Sequence, residues 1–188
     1  MKRRSLAAVA VLAVLAAGCG PGSNPELPQC PGQTVCTVVE EQTGMFISVV
    51  NAPDKDVSTL YAFSSPDDPV ETDAWILGFA RTTITVNGGV SGDAGVEVAM
   101  LDGASLVELE AEDVPVDGWF TDEDAQLAFE RENKWYAYDI GRHVIEIRPR
   151  VYFVRLADGT TYGMQFISYY DYTGASRHPT FRWVEMSQ

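Results

Sequence analysis

Hydrophobic positions in this chain come in short runs, each closed by turn-forming residues. Met45–Val50 (MFISVV), Ser58–Phe63 (STLYAF), Trp75–Phe79 (WILGF), Thr82–Val86 (TTITV) and Val96–Leu101 (VEVAML) are rich in β-branched and aromatic side chains. So are Ser105–Glu110 (SLVELE), Trp135–Tyr138 (WYAY), His143–Ile147 (HVIEI) and Val151–Ala157 (VYFVRLA). Such runs are the signature of strands. No stretch of ordinary helix length repeats its apolar residues at helical spacing. One short helix is predicted from about Asp122 to Glu132. Thr121 followed by Asp122, Glu123 and Asp124 resembles a capped first turn, and Arg131 and Lys134 suit the negative end of a helix dipole. The pattern predicts an all-β, single-domain antiparallel fold with at most one short helix.

The clearest unit is Val151–Tyr170, in which Asp158-Gly159 reads as a two-residue hairpin turn because glycine accepts the positive φ required there. That register sets Ala157 against Thr160. It also puts Val151, Phe153 and Arg155 beside Phe166, Met164 and Tyr162, on a face expected in the core, with Arg155 in reach of the Tyr162 ring.

The first residues read differently. Lys2, Arg3 and Arg4 precede an apolar run, Leu6–Ala17, too short to span a bilayer. The run ends in LAAGCG, which resembles a bacterial lipoprotein signal cut before Cys19. The expected organisation is a signal peptide at 1–18, a Pro/Gly/Ser-rich tether with a small disulfide loop at 19–37, and a β domain at 38–188. Gly20 lacks the aspartate signal for inner-membrane retention, so the expected location is the outer membrane. With Cys19 lipidated, Cys30 and Cys36 remain to pair in an exported chain. Zinc would require both histidines from far away in sequence, and is the weaker reading.

The formal net charge is −14 over 188 residues, and it is unevenly spread. Residues 19–130 carry 2 basic and 21 acidic side chains, whereas 131–188 carry 8 basic and 6 acidic. Nucleic acid is excluded as a partner for the whole, because that affinity rests on neutralising phosphates. The acidic stretch Glu112–Ala125 lacks the alternation of a calcium loop, and no nucleophile elbow or metalloprotease motif is present. The chain reads as a non-enzyme.

The run Asn87–Gly95 (NGGVSGDAG) fits no phosphate-binding loop, since no Lys-Ser/Thr follows and the next element is a strand. It reads as a tight connection where the backbone takes positive φ or meets another segment closely. Together with Trp75, Gly78, Phe79 and Arg81 before it, this run resembles the HmuY-like haem-binding lipoproteins. The resemblance continues through WYAYDIGRHVIEIRP, the Val151–Tyr170 unit and PTFRW at Pro179–Trp183, with Ile76 standing where that family often carries Asp. It implies a β-rich single domain that holds haem outside the outer membrane or passes it to an outer-membrane transporter. Haem iron takes one or two axial side chains, commonly His or Met. His143 and His178 are the two histidines of the chain and so the axial candidates. Arg142, Arg148 and Arg150 are candidates for pairing with propionates, and Met100 and Met164 are fallback thioethers. Beside this stands a second reading, a surface lipoprotein that uses the same scaffold for a protein partner and carries no cofactor.

Overall fold

The computed structural model describes residues 22–24, 26–66 and 74–186; the signal-like segment and Cys19 lie outside them. Eleven strands follow in chain order: β1 (Val35–Val39), β2 (Phe46–Val50), β3 (Thr59–Tyr61), β4 (Leu77–Ala80), β5 (Thr83–Val86), β6 (Glu97–Asp102), β7 (Tyr136–Asp139), β8 (Val144–Ile147), β9 (Arg150–Arg155), β10 (Thr161–Tyr170) and β11 (Ser176–Glu185). A six-stranded sheet runs β1-β2-β11-β10-β9-β6, with every pairing antiparallel. A three-stranded sheet, β3-β4-β5, and the β7-β8 hairpin complete the fold. The all-β expectation is met.

The three-stranded sheet covers one face of the large one, and aromatic rings fill the space between. Phe181 stacks on Phe79 at 5.7 Å and meets the edge of Tyr61 at 5.1 Å, while Phe63 stacks on Tyr162 at 4.3 Å. Trp135, from the start of the β7-β8 hairpin, stacks on Phe166 at 4.3 Å. One polar node sits within this core. The buried Ser48 hydroxyl accepts from Trp183 Nε1 at 2.9 Å and bonds the hydroxyls of Tyr61 at 3.0 Å and Thr37 at 2.8 Å. Burial pushes the Tyr61 phenol far above its ordinary range, with the Ser48 bond opposing.

The opposite face of the large sheet is also covered. Segment 104–119 lays Leu106, Leu109, Val114 and Trp119 over Ala99, Val151, Phe153 and Met186. The chain accommodates this at Gly163, where an added Cβ would lie 2.7 Å from Leu106 Cδ1. Gln165 holds the strap, accepting from Leu106 N at 3.1 Å and donating to Ala104 O at 3.0 Å.

Three local expectations are corrected. Ser105–Glu110 is not a strand: Leu106–Glu108 is a 3-10 turn, because its leucine is the plug of that strap. The helix over Asp122–Glu132 shrinks to one 3-10 turn, Ala128–Glu130. Thr121 does not cap a helix: its hydroxyl donates to Val96 O at 3.2 Å, while the buried Asp122 carboxylate accepts from Val86 N at 2.9 Å and Ala128 N at 2.8 Å, tying the segment to β5. The β9-β10 turn has three residues, with Leu156 N donating to Thr160 O at 2.8 Å and Gly159 at φ +93°. One extra loop residue slips the register by one, so Phe153 faces Gly163 and Tyr152 faces Met164. A one-residue slip exchanges faces. Val151, Phe153 and Arg155 therefore point to the strap, and Tyr152, Val154 and Met164 to the main core.

The glycine run behaves as its composition predicts. Gly89 sits at φ +62° with Asp122 O 2.0 Å from where its Cβ would be, and Gly88 backs onto Val96 O at 2.2 Å by the same measure. No side chain fits at either position, which makes the run a packing element.

Candidate functional site

The expected disulfide forms, joining Cys30 to Cys36. Its loop lies near the β10-β11 turn, where His178 lines a cavity of about 110 Å³ together with Cys30, Pro31, Asp171 and Tyr172. His178 Nδ1 is 3.0 Å from Ser176 O and 3.2 Å from Ala175 O. Carbonyl oxygens only accept, so Nδ1 carries the proton and Nε2 keeps its lone pair. That is the arrangement in which an imidazole ligates a metal through Nε2. The neighbouring Asp171 is partly buried, which opposes ionisation. Bonds from Thr173 and Ala175 outweigh this and hold its carboxyl below the usual range.

His143 lies elsewhere, at the end of the turn between β7 and β8, with φ +55°. It is exposed, and its Nδ1 is 2.8 Å from the Tyr138 hydroxyl. It does not line the His178 cavity. The two imidazoles are thus not gathered into one pocket among the described residues.

The three candidate arginines each have protein partners. Arg142 forms ion pairs with Asp139, at 2.6 Å, and with Glu146. Arg148 Nε donates to Tyr136 O at 3.2 Å. Arg150 is 2% exposed, donating to both oxygens of Asp102 and to Asn133 O at 3.0 Å. Its guanidinium holds the Asp102 carboxyl below the ordinary aspartate range. Met164 is fully buried in the main core, and Met100 packs half-buried against it.

A larger cavity, about 510 Å³, opens on the strap side between Val114–Trp119 and the β9-β10 turn. Arg155, displaced from Tyr162 by the register slip, lies over the Trp119 ring at 3.8 Å and pairs with Glu97 at 2.6 Å. Met186 also lines this cavity, and no histidine does. Sequence reasoning missed it because the strap residues and the β9-β10 turn are far apart in the chain. No local feature of the sequence marks it, because the loop length that turns Arg155 toward Trp119 is itself set by tertiary packing.

A haem axial role can be tested against this geometry. His178 has the correct tautomer and a free Nε2, so the single imidazole fits as an iron ligand. Its cavity is below the roughly 300–1,000 Å³ usual for enclosing a ligand of drug size, so the macrocycle is not engulfed there.

No family model matches the chain, and no curated protein matches it. Solved structures do. A structure described as a lipoprotein of Bacteroides fragilis is 17% identical, with a TM-score of 0.55 over 81% of this chain and 96% of the other. One described as an HmuY-like haem-binding protein of Bacteroides vulgatus is 16% identical, with a TM-score of 0.56 over 79% of this chain and 96% of the other. At these identities the likeness is one of fold, and the chain shares the β architecture of HmuY-like proteins.

Proposed function

We propose that this protein is a non-enzymatic surface lipoprotein that binds haem or a related tetrapyrrole in support of iron acquisition, tethered to the outer membrane through Cys19. The observation that carries the reading is His178 on an HmuY-like scaffold, its Nδ1 proton committed to main-chain carbonyls and its Nε2 left for iron. Iron supplies the coordination chemistry; the protein's part is to orient the imidazole and cover the ring edge. His143 is the second axial candidate in this reading, from the β7-β8 turn. Arg142 and Arg148 are exposed at the surface and so more accessible for propionates than Arg150, which is buried against Asp102.

An absorbance titration of the full chain in detergent with haemin tests this, run oxidised and reduced beside His178→Ala and His143→Ala. A saturable Soret band with low-spin features, weakened in His178→Ala, is expected. A band that survives both substitutions would move ligation away from the histidines. A second reading, docking of a protein partner, draws on the β7-β8 hairpin, which exposes Tyr138 at 52% and Ile140 at 75%. Absence of any saturable haemin signal would favour it.

A further inference from the structure

The chain between Cys19 and the first strand is bound to the domain at one end of the molecule. Asn24 N donates to Tyr172 O at 3.1 Å, in the turn between β10 and β11. Leu27 N donates back to Asn24 O at 3.2 Å, and the Leu27 side chain is buried. Pro28, Cys30 and Gln33 then line the His178 cavity with Asp171 and Tyr172. Thr34 O accepts from Asn51 N at 2.8 Å, where β1 begins beside the end of β2.

Chain length turns this docking into an orientation. Asn24 follows Cys19 by five residues. A chain spans at most about 3.3–3.6 Å per residue, so the docked Asn24 stays within roughly 18 Å of a lipid-bearing Cys19. β10 is ten residues long and runs from the β9-β10 turn to the β10-β11 turn. At about 3.3 Å per residue its two ends lie roughly 30 Å apart. A lipid at Cys19 therefore reaches the His178 end, and cannot reach the cavity beside the β9-β10 turn without unseating Asn24 and Leu27.

Charge divides along the same axis. Residues 22–24, 26–34, 51–56 and 171–178, with Arg81 bonded to Pro53 O, hold four carboxylates against three cations. One of the four, Asp171, turns its carboxylate onto Thr173 N, Ala175 N and the Thr173 hydroxyl. Toward the other end, strap residues 104–119 hold five carboxylates and no cation. Glu185 lines the cavity there, and the charge of Arg155 is answered by Glu97. Anionic lipid headgroups repel carboxylates over about 8 Å at physiological ionic strength. The near-neutral end is thus the one that can rest against them, in a chain of net charge −14.

We propose that the docked segment from Asn24 to Cys36 holds the β10-β11 turn and the His178 cavity against the lipid surface that anchors Cys19, with the acidic strap and the β9-β10 cavity facing away. This rests on the lipid anchor of the proposed function and not on haem. The partner of the His178 end is the bilayer itself, and the larger cavity is the one left open to soluble ligands.

The full lipidated chain, reconstituted into vesicles of phosphatidylethanolamine and phosphatidylglycerol, provides the test. Ala175→Cys in the exposed β10-β11 turn and Val116→Cys on the strap, where Val116 is 94% exposed, each carry one fluorophore. Mass spectrometry checks that Cys30–Cys36 stays closed in both. Energy transfer to a headgroup-labelled lipid should be at least about twofold more efficient from position 175, since the two ends of β10 lie roughly 30 Å apart. A spacer of about thirty Gly/Ser residues after Gly20 adds roughly 30 Å of reach and should remove most of that difference. Equal transfer from both positions, or stronger transfer from 116, in a chain that floats with the vesicles overturns the orientation and leaves the anchor standing. A chain that floats no better than its Cys19→Ser variant overturns the anchor, and the orientation with it. A difference unchanged by the spacer overturns the part assigned to the docked segment.

Discussion

Asp122 is the residue whose loss should reveal how the β4-β5 sheet is joined to the rest of the molecule. Its side chain is 1% exposed, and its two oxygens accept from main-chain N–H groups of Val86 and Ala128 at 2.9 and 2.8 Å. Its own carbonyl accepts from Val90 N at 3.0 Å and crowds Gly89. Asp122→Ala leaves two buried donors without acceptors, each at about 1–3 kcal/mol. The expected loss is about 2–6 kcal/mol, a large share of the roughly 5–15 kcal/mol that holds a domain of this size. Asp122→Asn should fall between, since one oxygen remains while an N–H₂ turns toward an N–H. Urea unfolding, followed by tryptophan fluorescence, reads this as a lower midpoint at an unchanged slope. A loss below about 1 kcal/mol in Asp122→Ala would refute the reasoning, because the two donors would then have found water or other partners.

Gly163→Leu should overfill the slot that Leu106 occupies and cost about 1–3 kcal/mol, read by the same unfolding curves. Gly163→Ala should cost less, since the nearest atoms are the ends of Leu106 and Met186. Reduction of Cys30–Cys36 should cost about 2 kcal/mol, from the short loop it closes. Circular dichroism should show the sheet retained, because β1 stays paired with β2 from Val35↔Val50 onward. Ser48→Ala should lower stability by about 1–3 kcal/mol by stranding the Trp183 N–H. In acid, the bond from Arg182 holds the Glu40 carboxyl below its ordinary value, against a smaller opposing effect of burial. That stabilisation is complete above the unfolded glutamate range near about 4.3 and is lost as pH falls through the lower folded value. A pH series of melting temperatures should be flatter at its acid end in Arg182→Gln.

Local composition determined that this protein is a set of strands. Runs such as Met45–Val50, Thr82–Val86 and Val151–Ala157 are rich in β-branched and aromatic side chains, which fit a pleated surface whatever their partners. Spacing was enough for the cysteine pair and for the role of Asn87–Gly95, because a disulfide across a few residues and a glycine contact are short-range matters. Where a distant partner outweighed composition, the reading failed. Ser105–Glu110 has the composition of a strand, yet Leu106 is drawn across the sheet into the space left by Gly163, a partner many residues away. The hairpin at Asp158-Gly159 was visible, but whether its loop holds two residues or three depends on which face of β9 the strap and the main core claim. The candidate site shows the same division. Which residues have chemistry to offer, His143, His178 and the arginines, is visible from their types. That Arg150 is spent on Asp102 and that His178 turns its Nδ1 proton to carbonyls are decided by tertiary structure. Those facts follow from which distant strands pair, and strand pairing is set by the burial of whole faces, not by any local stretch.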